Sequence, residues 1–172
     1  MTTPHIYIAD QWHDFFLLVG TGAATITGFL VVAMSLHIEV ILKDSSLRHR
    51  ALAIIAGLGG AFIRCALVLM GGQNHQAVGV ELLIISGVVT FIGLSSFRHS
   101  FKHSRISHKN VFYRSLMSVG CYVVEMIGAI ILISGFISGL YIVAIALIAN
   151  FYFWISGSWL LLVGISRDEE RW

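Results

Sequence analysis

Residues 115–165, SLMSVGCYVVEMIGAIILISGFISGLYIVAIALIANFYFWISGSWLLLVGI, carry a single formally charged side chain, Glu125, in 51 consecutive positions. One continuous helix of that length would measure about 75 Å, more than twice the roughly 30 Å of a bilayer's hydrocarbon core. The segment must therefore fold back on itself. The stretch from Gly135 to Gly139 lies between two pieces of spanning length, and glycine accepts the dihedrals of a tight turn. The expected result is a helical hairpin with spans at 112–134 and 140–165.

Upstream, residues 15–36 contain no charge, residues 51–70 only Arg64, and residues 77–97 only Glu81 near one end. Each is long enough to cross the hydrocarbon core. Strands of a membrane barrel are not indicated, because no ten-residue stretches of alternating polarity recur. The composition agrees: of 172 residues 57% are hydrophobic and 12% charged, against about 25% charged in a soluble globule, and the mean hydropathy is +0.86. One proline, two cysteines and a net charge of +2 exclude a disulfide scaffold, a disordered acidic tail and a basic nucleic-acid-binding fold. The reading is an all-α integral membrane protein, a single domain over 1–172 built as a five-transmembrane-helix bundle.

The basic residues provide an independent check, since Lys and Arg are retained on the cytoplasmic side. Residues 1–14, 71–76 and 135–139 contain neither. Lys43, Arg48 and Arg50 fall in 37–50, Arg98, Lys102, Arg105, Lys109 and Arg114 in 98–114, and Arg167 and Arg171 in the tail, so all except Arg64 lie on alternate connections. This predicts the N-terminus outside and the C-terminus in the cytoplasm. No cleavable leader is expected, because the first basic residue is Lys43. Trp12 and Tyr141 would lie at the outer interface and Phe112 and Tyr113 at the inner one, where amphipathic rings are favoured.

Three polar side chains fall where a bilayer should exclude them. Arg64 is 13 residues beyond Ala51 and Glu125 is 13 residues beyond Phe112, on spans running in the same direction, and Asn150 is 10 residues into the returning last span. Equal rise per residue puts all three in one layer. Small residues accompany them at helical spacing: Gly57 and Ala61 with Arg64, Ser118, Cys121 and Gly128 with Glu125, and Ala146 and Gly157 with Asn150. The charges should thus face protein, where pairing offsets an insertion cost of roughly 2.5–3.5 kcal/mol each. A buried Arg64–Glu125 bridge with Asn150 beside it is one expectation. The others are a proton or cation site at Glu125 in a wetted cavity, and contact with another subunit.

Gly20, Ala24 and Gly28, with Thr21 and Thr25 beside them, form a small-residue stripe on the first span. It allows close helix approach, either within the bundle or at a seam with a second copy or a larger partner, and threonine hydroxyls could bond across it. On the outer side His13, Asp14 and His75 have metal-ligand chemistry, but no close ligand spacing accompanies them and no metal is expected. No histidine lies inside a span, so buried haem is not expected either, and the reading includes no cofactor. Arg98, Lys102, Arg105 and Lys109, interleaved with His99, His103 and His108, should attract anionic lipid at the cytoplasmic face. A partner-docking or pH-sensing role is the sharper alternative. No Gly-x-Ser-x-Gly, His-Glu-x-x-His, P-loop or Cys-x-x-Cys is present, so no enzymatic activity is expected.

The runs WHDFF at 12–16, AATITG at 23–28 and VVAMSL at 31–36, covering Trp12 to Leu36, resemble the first helix of a group of small multipass bacterial inner-membrane proteins of unknown function. SWLLL at 158–162 is similar to their last helix. The resemblance implies a bacterial inner-membrane location and a fold, and no mechanism. Two functional expectations stand: a non-enzymatic subunit that self-associates or serves a larger membrane complex, and an oligomeric ion or proton channel lined by Arg64, Glu125 and Asn150.

Overall fold

The computed structural model describes residues 9–103 and 108–169, and among them every regular element is helical: α1 (Ala9–Leu36), α2 (Ile38–Lys43), α3 (Ser45–Leu69), α4 (His75–His103), α5 (His108–Ile133) and α6 (Ser138–Glu169). All but α2 are long and apolar enough to cross a membrane, over Trp12–Leu36, Ser45–Leu69, His75–Ser96, Leu116–Ile133 and Ser138–Val163. Large apolar side chains such as Leu18, Phe29, Phe91 and Trp159 stand on the outside, as a lipid-facing exterior requires and a water-facing one would not tolerate in such number.

Short connections reverse the chain between α3, α4, α5 and α6, which pack side by side in that order, and α6 closes the circle against α3. These four form an up-and-down bundle. α1 lies outside it, packed chiefly along α3 through buried Phe16, Ala23, Leu30 and Met34. At the N-terminal ends of α1 and α6 the Trp12 and Tyr141 rings meet edge to face, 4.6 Å apart, so the two aromatics expected at one interface share one end of the molecule.

The hairpin turn lies where glycine allows it. Gly135 adopts φ +95°, its N–H donates to Leu132 O, and the Phe136 N–H reaches back to Ile131 O. This pair of bonds is a Schellman stop, which satisfies carbonyls that the end of α5 would otherwise leave open. Gly139, expected in the same turn, instead belongs to α6 and has a different task. A β-carbon on Gly139 would run into Gly128 O of α5, and one on Gly128 would lie 2.8 Å from Gly139 O. The α5 and α6 backbones therefore touch through a pair of glycines.

The helices extend beyond the apolar windows expected of them. Residues 37–50, read as a connection, contain the short helix α2, because Ile38, Val40, Ile41 and Leu42 still supply an apolar face; Ile41 is buried where α2 meets α3 and α6. Asp44 then starts α3 at Ser45, six residues before Ala51, by accepting the Ser46 N–H at 2.7 Å. An N-cap of this kind satisfies a donor that the first turn leaves unpaired. Likewise Asn74 Oδ1 accepts the Ala77 N–H at 2.7 Å beside Gly72, whose φ is +82°, and α4 begins at His75. Residues 98–114 are not one long loop either, since α4 continues to His103 and α5 begins at His108.

Candidate functional site

Arg64 projects from α3 into the middle of the four-helix bundle and is completely buried. Its Nε donates to Gly60 O at 3.0 Å, which turns the guanidinium back by one helical turn, the direction helical side chains favour. From there Nη1 donates across the bundle to both carboxylate oxygens of Glu125 on α5, at 2.6 and 2.7 Å. Ser86 on α4 completes the arrangement: its hydroxyl donates to Glu125 Oε1 at 2.9 Å and accepts from Arg64 Nη1 at 3.4 Å.

Two aromatic rings flank the cation. The guanidinium carbon is 5.6 Å from the centre of the Tyr122 ring and 5.9 Å from that of Trp154, within the range at which a ring face attracts a cation. Trp154 reaches this position because Gly57 makes room; a β-carbon there would collide with the indole. Ala61, fully buried, keeps the next turn of α3 equally narrow. Asn150 lies on α6 one turn before Trp154 and is also fully buried. The layer thus receives one polar side chain from each helix of the bundle: Arg64, Ser86, Glu125 and Asn150.

The ion pair is bonded through one guanidinium nitrogen, and that leaves a remainder. Arg64 Nη2 and both amide atoms of Asn150 have no hydrogen-bond partner. Buried polar groups are nearly always bonded, so these three atoms mark the part of the layer where protein side chains do not complete the network. Arg64 and Glu125 meet directly, whereas Asn150 shares their layer without bonding to either.

The remaining expected site residues divide. Gly20 lies against α3, where a β-carbon would come within 3.0 Å of Cys65 Cβ. Ala24 and Gly28 point away from the bundle, as do Thr21 and Thr25, and nothing lies within 4 Å of where a Gly28 β-carbon would be. The expected threonine bonding across helices is not what the hydroxyls of Thr25 and Thr27 do: they donate to Thr21 O and Ala23 O of α1 itself. The expected cluster of His13, Asp14 and His75 is not assembled. His13 and Asp14 are exposed neighbours with His13 Nδ1 3.3 Å from Asp14 Oδ1, while His75 faces the Gly135 turn, and no metal-holding group of three forms among the described residues. Cys65 and Cys121 are both free thiols. Of the basic stretch, Arg98 is exposed; Arg105 and the side chains of Lys102 and Lys109 lie outside the described residues.

Ser86, Tyr122 and Trp154 were not singled out by sequence. Their signals exist: Ser86 is the lone hydroxyl of LLIISGVV at 82–89, Tyr122 precedes Glu125 by three residues, and Trp154 follows Asn150 by four. Positions three and four apart share a helix face. No protein family, curated protein or solved structure compared with the chain shows a significant match.

Proposed function

We propose that this chain is a non-enzymatic multipass membrane protein of a bacterial inner membrane, acting as a self-associating or accessory subunit of a membrane complex. The observation that carries the reading is the division of α1 into two faces. One packs on α3, and the other presents Thr21, Ala24, Thr25 and Gly28 outward, where a second transmembrane helix can approach closely. The polar layer supports the same reading from the inside: Arg64 and Glu125 are paired and enclosed within one chain, so with Ser86 they serve to hold α3, α4 and α5 in register.

In lipid nanodiscs the protein should run at a multiple of its 18.9 kDa or with a second chain. A particle containing one copy and nothing else would overturn the proposal. Gly28→Leu fills open space on the outward face, so it should weaken self-association about tenfold, roughly 1.4 kcal/mol, and leave the thermal midpoint of the single chain unchanged or raised, since leucine is favoured over glycine inside a helix. Equal association of the variant and the wild type would move the contact off this face.

The alternation of basic residues supports an orientation with residues 37–50 and the α4–α5 connection in the cytoplasm and the Asn74 and Gly135 turns outside. The basic residues then face anionic lipid. A membrane-impermeant maleimide added to intact cells should label Asn74→Cys and leave Lys43→Cys unlabelled, both being exposed positions. The opposite pattern would invert the topology. A second reading, a proton or cation channel, draws its support from the unpartnered atoms of Arg64 and Asn150 in the bundle interior.

A further inference from the structure

Asn150 is the one member of the polar layer without a bond to another member, although its side chain is fully enclosed. Arg64 Nη2 is the other orphan in the layer. Both groups can be placed relative to each other from the packing. Trp154 seats against Gly57, and α3 and α6 run in opposite directions. One turn along α3 from Gly57 is Gly60 and Ala61, and one turn back along α6 from Trp154 is Asn150. The guanidinium is folded down to the Gly60 level by its Nε bond, and a β-carbon on Gly60 would lie 3.8 Å from Nη2. The orphan donor of α3 and the orphan amide of α6 therefore occupy one level on neighbouring helices.

Their chemistry selects what can satisfy them. Nη2 and Asn150 Nδ2 are donors and need an acceptor, while Asn150 Oδ1 needs a donor. A cation would be repelled by the guanidinium. An anion would find the Glu125 carboxylate in the same layer and would leave Oδ1 unbonded. A small neutral molecule that both donates and accepts meets every requirement, and water is the one small enough for an enclosed position between close-packed helices.

We propose that Arg64 Nη2 and the Asn150 side-chain amide bind one ordered internal water, which joins α6 to the Arg64, Ser86 and Glu125 network. The polar layer then links all four bundle helices by hydrogen bonds and not α3, α4 and α5 alone. This water site is independent of the assembly reading, since it lies wholly within one chain.

The sign of a stability change distinguishes a bound water from an unsatisfied amide. Replacing an unpaired buried amide with an apolar group of similar size stabilises a protein, whereas removing a bonded one destabilises it. Asn150→Leu in nanodisc-refolded protein should raise the unfolding equilibrium constant about tenfold, and this effect should fall below about threefold when Arg64→Leu and Glu125→Leu are both present. A neutral or stabilising Asn150→Leu would overturn the proposal, and so would an undiminished effect in the triple variant. A measurement on the wild type guards against a variant that fails to fold. With only three asparagines in the chain, Asn74, Asn110 and Asn150, selective 15N-asparagine labelling resolves the Asn150 side-chain amide. It should show a cross-relaxation peak to a long-lived water, a peak that Arg64→Leu in the Glu125→Leu background removes. Absence of that peak in the wild type would refute the site.

Discussion

Arg64→Leu and Glu125→Leu should each destabilise the folded protein by about 3–5 kcal/mol, and the double variant should recover most of the loss. The reason is the completeness of the enclosure. Both side chains are fully buried and each is the other's counter-charge at 2.6 Å, so removing one strands the other in a medium that cannot solvate it. Glu125 without Arg64 keeps only the Ser86 hydroxyl; Arg64 without Glu125 keeps Gly60 O and a longer contact to Ser86. Removing both leaves neither charge to desolvate. Reversible unfolding in mixed micelles measures all three variants, and a double variant no more stable than the worse single one would contradict a simple pair. Glu125→Gln separates the lock from the channel. As part of a lock, it retains the shape but leaves the guanidinium uncompensated and loses stability. As part of a channel, it would fold normally and lose a proton or cation flux that wild-type protein shows in liposomes, and that result would replace the subunit proposal.

Gly139→Leu should be nearly as damaging, although it changes no polar group. The α5 and α6 backbones approach so closely at Gly128 and Gly139 that any side chain at 139 meets Gly128 O and the backbone of Leu132. Backbone cannot rotate aside as a side-chain tip can. The helices must separate, so the loss belongs at the upper end of the about 1–3 kcal/mol that overpacking commonly costs. It should also loosen the Arg64–Glu125 contact, since Glu125 lies one turn from Gly128. Gly93→Ala is the control: nothing lies within 4 Å of its β-carbon position, and alanine in a helix interior is favoured over glycine by about 1 kcal/mol. A thermal midpoint lowered by Gly139→Leu and unchanged or raised by Gly93→Ala is expected; equal midpoints for the two variants would contradict the close glycine contact.

The site was legible in part, for a reason visible in its members. Arg64, Glu125 and Asn150 stand out because bilayer exclusion makes charge and amide groups conspicuous within apolar runs. Ser86 does not, because serine is common in spans and usually bonds to its own helix, as Ser134 does with Ile130 O. Trp154 and Tyr122 look like ordinary apolar filling until a cation is found beside them. The N-terminal stripe was legible as a pattern but not as a surface. Residues spaced by four advance about 40° around a helix at each step, so Gly20 faces α3 while Ala24 and Gly28 have turned outward.

The sequence by itself determined the number of apolar crossings, the reversal at Gly135 and the common depth of Arg64, Glu125 and Asn150. These are positions along a helix axis, set by rise per residue against the thickness of a hydrocarbon layer, and they require no knowledge of neighbours. Tertiary structure decided everything that depends on direction around the axis: that α3 to α6 close into a bundle with α1 outside, that Ser86 bridges the ion pair, and that Asn150 enters the layer without a protein partner. Those outcomes depend on which helices lie side by side. In an apolar solvent that choice is made by close packing at Gly57, Gly128 and Gly139, because burial of apolar surface favours no one arrangement over another.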